Sequence, residues 1–256
     1  MRAMKSDRND QQRFARRLIP AGHAVDRTRP LAGQIYELLR DAIITMSLQP
    51  NDVIFEKILA ETLGISRTPV REALQQLARE ELVVIAAQSG TFVAPVTRAQ
   101  FMESFLIRRV LEAASIRHAA EIITPAEIEQ LNDIHEAHSR AVARGNTVAS
   151  IAHDNAFHSC ISRAAKLPRL YQLAGMARAP IDRVRHVTAR EPNEGTMTLR
   201  QHQKVIDALT RHDPDATEHA LLEHLDDAFE RQKRVFDQHE EIFEGDSASL
   251  KFPAGD

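Results

Sequence analysis

The apolar positions of this chain recur at helical spacing over most of its length. Leu31, Ile35, Leu38, Leu39, Ala42, Ile43 and Met46 form one stripe, which predicts a helix closed by Gln49-Pro50-Asn51-Asp52. A shorter helix is expected around Glu56–Leu63, ended by Gly64, which accepts a left-handed backbone without steric cost. A third is expected to start at Ser66 as its cap, with Val70, Leu74 and Leu77 inward and Arg67, Thr68 and Arg71 outward. The period then shifts: Leu82-Val83-Val84-Ile85 and Thr91-Phe92-Val93 flank Gln88-Ser89-Gly90 and read as a β-hairpin. Three helices and a hairpin make a winged helix.

Beyond Pro95 and Thr97 every segment reads as helix: roughly 98–123, 125–144, 147–165, 167–188, 198–211 and 215–238. Thr124-Pro125-Ala126-Glu127 is a start signal with cap, proline and returning glutamate in place. The expected fold class is therefore mainly α, a winged helix-turn-helix followed by an antiparallel all-α bundle. The expected divisions are a disordered basic arm at 1–29, a DNA-binding domain at 30–97, a helical domain at 98–238 and a flexible tail at 239–256. The arm's arginines are open to two readings, phosphate contact or plain solvation.

Composition sharpens this picture only in places. Of 256 residues 5% are aromatic and none is Trp, which favours helix over sheet. A single cysteine, Cys160, excludes an intrachain disulfide framework and suits a reducing, cytoplasmic setting. No apolar run is long enough for a membrane helix, and the basic N-terminus lacks the apolar segment of a secretory signal. Residues 1–97 carry 13 Lys/Arg against 11 Asp/Glu and the remainder 20 against 25, so the net charge of −3 sits in the helical part. Nucleic-acid binding by the first part is permitted by charge, not required by it.

Two groups of residues carry chemistry. The first is the start of the third predicted helix. Arg67 and Arg71 are four apart on one face, and a guanidinium binds guanine bidentately or clamps a phosphate. Ser66 and Thr68 add hydroxyls beside a helix N-terminus that favours phosphate. Lys57 stands at the start of the preceding helix, and Gly90 at the wing tip allows close backbone approach. Two arginines on a helix face are also common in a merely solvated helix; it is their order within helix, glycine turn, capped basic helix and hairpin that favours DNA.

The second group is polar residues on apolar stripes: Asp154 and His158 between Ile151 and Ile161, His202 beside Val205 and Ile206, and His224 between Leu221 and Leu225. A divalent cation held by Asp154, His158, His202 and His224 would explain all four; the ligand types suit Zn²⁺, with Ni²⁺, Mn²⁺ or Fe²⁺ open. The plain alternative is a set of hydrogen-bonded polar residues in a bundle. His135, His138, His153, His212 and His219 are read as surface residues. Arg108 and Glu112, at i and i+4, read as a salt bridge.

The run Glu56-x-x-Leu59-Ala60-x-x-Leu63-Gly64-Ile65-Ser66-Arg67-Thr68-Pro69-Val70-Arg71-Glu72-Ala73-Leu74 strongly resembles the winged-helix signature of the GntR family of bacterial transcription regulators. The sparser set Arg108-x-x-Leu111-Glu112, Asp154-x-x-x-His158, His202 and His224-Leu225 looks like the FCD ligand-binding domain of its FadR subfamily. The resemblance covers roughly residues 30–236. It implies a regulator working as a homodimer on a pseudo-palindromic double-stranded operator, by repression as the default, with Lys57, Arg67, Arg71 and Gly90 at DNA-contacting positions. It also implies a metal on Asp154, His158, His202 and His224, and a small carboxylate effector beside it that Arg108 is suited to pair. Departures are Asn51 and Glu81 where the family often has glycine, Ser89 where arginine commonly precedes the wing glycine, and Leu167 where asparagine usually stands. The rival from another class, an HD-type metal-dependent phosphohydrolase, is motivated by His153-Asp154 but lacks further ligands in order and leaves the winged helix unexplained.

Overall fold

A computed structural model describes residues 8–18, 25–189, 191 and 193–243. Two compact units emerge, one holding the described residues up to Thr97 with Glu240–Phe243, the other Arg98–His239.

The first unit is built on three helices, α2 (Leu31–Ile44), α3 (Glu56–Leu63) and α4 (Arg67–Arg79). Ile35, Leu39, Ile43, Leu59, Val70, Leu74 and Leu77 close its core, each essentially without solvent exposure. Gly64 turns the chain between α3 and α4 at φ 63°, and Ile65 N–H donates to Ala60 O at 3.0 Å. Ser66 holds the N-cap position of α4 in an extended conformation, but its side chain makes no capping hydrogen bond, contrary to the role expected of it. The wing pairs β2 (Val83–Ala86) with β3 (Gly90–Val93), Val84 opposite Phe92 and Ala86 opposite Gly90. A third strand, β1 (Val53–Ile54), adds to the far edge of β3 in the order β1-β3-β2. Two residues are too few to show an alternation, so pairing alone defines β1. Asn51 and Glu81 both adopt left-handed φ, 68° and 57°.

The N-terminal arm is not simply disordered: Arg8–Leu18 forms a helix, α1. Phe14 and Leu18 are buried, and the Phe14 ring meets Phe55 edge-on at 5.6 Å. Two large apolar residues in eleven make too thin a stripe to find by periodicity; docking supplies the rest. The remaining arm residues at 1–7 and 19–24, and the tail at 244–256, lie outside the described residues. Within the expected tail, α12 (Glu240–Phe243) buries Phe243, whose carbonyl accepts from Val96 N–H at 2.8 Å.

The second unit is all helix: α5 (Arg98–Ile122), α6 (Pro125–Ala143), α7 (Thr147–Ala164), α8 (Pro168–Ala177), α9 (Ala179–Thr188), α10 (Glu194–Thr210) and α11 (Pro214–Gln238). Thr124 and Glu127 form a reciprocal capping box on α6, Asn146 caps α7 and Asp213 caps α11. The single helix expected over 167–188 is two, α8 and α9, because Pro180 removes a backbone donor and restricts Ala179. Ile116, Ala120, Leu131, Phe157, Val205 and Leu221 belong to a contiguous core, and the polar cluster is set into the same helices.

Candidate metal centre and nucleic-acid interface

Three helices bring the suspected ligands together. α7 contributes Asp154 and His158, α10 His202 and α11 His224, and one ligand atom from each lies within 4.8 Å of all the others. The four are 0–8% exposed. Asp154 Oδ1 is 3.5 Å from His202 Nε2 and 3.9 Å from His158 Nε2, and those two nitrogens have no hydrogen-bond partner. Buried polar atoms facing one another without partners are the signature of a site shaped for something else.

The surrounding residues fix which nitrogens face inward. Gln201 donates through Nε2 to Asp227 Oδ2 at 2.7 Å, so its Oε1, 3.0 Å from His224 Nδ1, is left to accept. His224 therefore carries its proton on Nδ1 and offers a lone pair at Nε2. Glu112 Oε2, an acceptor only, lies 2.9 Å from His158 Nδ1, although not aligned as a hydrogen bond, and favours the same tautomer. Glu112 is in turn held by Arg108 Nε at 2.6 Å. The Arg108–Glu112 pair is thus a buried one, both residues under 8% exposed, rather than an exposed helix pair.

Burial lowers the pKa of His202 far below that of free imidazole, with His224 adding to it, and takes His224 itself to about 3. Both rings are neutral at physiological pH, the state in which imidazole ligates metal. Burial pushes the Asp154 carboxyl up, but the Arg185 guanidinium leads the opposing influences, and the group is held well below the usual carboxylate range. An ionised carboxylate with three imidazoles is a donor set for a divalent cation, so the residues present fit the metal they imply.

Several partners were not apparent from periodicity. Arg185 from α9 bonds Asp154 Oδ2 and Asn155, and Asp182 Oδ1 accepts from Arg185 at 3.0 Å and from Arg178 at 3.3 Å. The Asp182 pairs are local, at i,i+3 and i,i+4, but the Arg185 contacts to Asp154 and Asn155 run from α9 to α7, and no local spacing announces those. His138 is a correction: expected at the surface, it is 1% exposed, with Nε2 2.9 Å from Ser150 Oγ. Its signal was present, since Leu131, His138 and Ala141 share the buried face of α6.

In the first unit Ser66, Arg67, Thr68, Arg71, Lys57 and Gly90 are all exposed. Arg71 Nε meets Glu56 Oε2 at 3.2 Å, and the Arg71 side chain remains 63% exposed. An open groove of about 410 Å³ lies between α4 and the wing, lined in part by Arg71, Gln75, Ile85 and Gly90. Lys57 is 3.7 Å from Glu61, a solvent-exposed pair that adds little to stability.

Comparison with known proteins agrees with these two units. Residues 31–93 match the bacterial regulatory proteins of the gntR family, and residues 103–227 match the FCD domain. The chain is 30% identical over 216 residues to the HTH-type transcriptional repressor RspR of Escherichia coli (strain K12), covering 84% of this chain and 95% of that one. It is 28% identical over 200 residues to a probable D-xylose utilization operon transcriptional repressor of Paenarthrobacter nicotinovorans, covering 76% and 85%. Among solved structures, E. coli McbR/YncC is similar with a TM-score of 0.71 at 25% identity, over 80% of this chain and 98% of that one. The phosphohydrolase alternative has no support in these relatives, which are DNA-binding regulators and not enzymes. Among the described residues no helix is long and apolar enough to cross a membrane. The chain belongs to the GntR family of bacterial transcription regulators, with the winged helix and FCD domain of its FadR subfamily.

Proposed function

We propose that this regulator is a repressor whose operator affinity is set by a small carboxylate bound at a divalent metal in the helical domain. The observation that carries the reading is the convergence of four ligating atoms within 4.8 Å, two of them imidazole nitrogens with no hydrogen-bond partner. Asp154, His158, His202 and His224 hold the ion, with Zn²⁺ favoured by three imidazoles and one carboxylate. Bound there, the ion supplies a Lewis-acidic position for a carboxylate oxygen. Arg108 Nη2 is buried without a hydrogen-bond partner, and serves as the second grip on that carboxylate. Two relatives are named repressors, which favours that sign of control.

Operator contact falls to Lys57, Ser66, Arg67, Thr68, Arg71 and Gly90. The effector alters DNA affinity only through its differential affinity for the two arrangements of the protein. A screen of small carboxylates by thermal shift tests the reading. The expected hit raises the melting temperature of the metal-loaded protein and loses its effect in Arg108→Lys, which keeps the charge beside Glu112 but not the planar fork. Stabilisation that survives both chelation and Arg108→Lys would place the effector elsewhere.

The working unit is a homodimer. Met102, Leu106 and Val110 stand exposed at i, i+4 and i+8 on α5, and Leu173 and Met176 are exposed on α8, which packs against α5. A second copy covering this stripe removes an apolar face from water and gives a two-fold matched to two half-sites. Leu106→Glu with Val110→Glu is expected to halve the mass seen by light scattering while leaving helicity unchanged. A dimer that persists in this variant puts the two-fold on another face.

A further inference from the structure

We propose that α1 is a further DNA-contacting element, whose Arg13 and Arg16 meet phosphates outside the half-site read by α4. The inference rests on the DNA binding of the family and on three observations of the first unit. First, α1 is fixed to that unit beside the expected phosphate contact. Phe14 packs on Phe55, the residue that precedes α3, and Lys57 follows two positions later. Arg17 Nη2 pairs with Asp52 Oδ2 at 3.0 Å, a second tie to the same edge. Downstream, Arg27 Nη2 donates to Gly64 O at 3.0 Å at the opposite end of α3.

Second, the charge is one-sided. Among the described side chains of α1, Arg13, Arg16 and Arg17 are basic and none is acidic. With Phe14 and Leu18 turned inward, Arg13 and Arg16 are exposed on the outer surface. An amphipathic basic helix would also suit an anionic membrane, but its apolar face is already occupied by the protein.

Third, the wing offers no cation of its own. From Val83 to Val93 there is neither Lys nor Arg, and the tip is Gln88-Ser89-Gly90. A winged helix with an uncharged wing must draw phosphate neutralisation from elsewhere on its surface, and α1 supplies it. A helix is about 10 Å across, so a basic face one helix beyond Lys57 reaches about three steps of 3.4 Å farther along a strand.

The test is the salt dependence of binding by the full chain to a duplex enriched from a random pool on the wild-type protein. Arg13→Gln with Arg16→Gln is expected to flatten the slope of log affinity against log salt by about 0.9 for each phosphate no longer neutralised, about fivefold weaker binding per phosphate at 0.15 M salt. Trimming the duplex flanks is expected to weaken the wild type and leave the variant unaffected. Arg13→Lys with Arg16→Lys keeps the charge and is expected to keep the slope. Wild-type slope in the glutamine variant, with flank dependence retained, overturns the proposal without touching the role of α4. A slope flattened equally in the lysine variant overturns it too, because phosphate neutralisation tolerates lysine.

Discussion

Replacing Arg67 and Arg71 together by alanine is expected to abolish specific operator binding while the helical content and the dimer persist. Each bidentate arginine–guanine contact is worth about 1–3 kcal/mol of discrimination. Removing both from each half-site, twice in a dimer, takes away most of the gap of roughly 4–10 kcal/mol that separates specific from non-specific binding. The fold is insulated because both side chains are exposed and the core residues of α4 are Val70, Ala73, Leu74 and Leu77. Arg71 does have a protein partner, Glu56, but the pair is 63% and 28% exposed and contributes little to stability. The measurement is competition of a selected duplex against mixed-sequence DNA at several salt concentrations. Unchanged discrimination in the double variant would remove α4 as the reading helix. Loss of affinity for both duplexes alike would instead assign the arginines to phosphate.

The winged helix was readable because its signals are local. A glycine at a left-handed turn, a capping position and a switch from helical to alternating period lie within one short stretch. The Asp–His cluster was readable for a related reason: each of three helices carries a polar side chain on an otherwise apolar stripe, and a buried carboxylate without compensation is costly. What stayed hidden depends on contacts between elements. β1 exists only through pairing with Phe92 and Thr91. α1 exists only through docking of Phe14 and Leu18, and Arg185 matters only because α9 lies against Asp154. Gln201 fixes the tautomer of His224 from the neighbouring position to His202, a relation that no helix stripe shows. His138 differs from these, since α6 periodicity already placed it inward and the surface reading was the weaker one.

Protein purified without chelator or histidine tag is expected to carry about one divalent ion per chain, and His202→Ala to carry none. His202 is fully buried, and its Nε2 faces Asp154 Oδ1 at 3.5 Å with no hydrogen-bond partner, so it is the ligand with the least reason to be there otherwise. At a free metal concentration a thousand times the dissociation constant, binding stabilises the fold by about 4 kcal/mol. At roughly 2–4 °C per kcal/mol, removing the ion from the wild type is expected to lower its melting temperature by about 10 °C. Alanine at 202 leaves a void beside Phe157, stacked on the ring at 3.8 Å, and so destabilises the protein in its own right. The decisive variant is therefore a more distant one. Gln201→Leu removes the acceptor that orients His224 Nδ1 without touching a ligand, and is expected to weaken metal binding by about 10–100-fold while the metal-free protein melts near the wild-type temperature. Elemental analysis, together with melting curves against added Zn²⁺ and Ni²⁺, separates the outcomes. A wild type that holds no ion and gains no stability from either metal would make the cluster a self-contained polar network. An affinity unmoved by Gln201→Leu would keep the ion but remove the orienting role assigned to its neighbour.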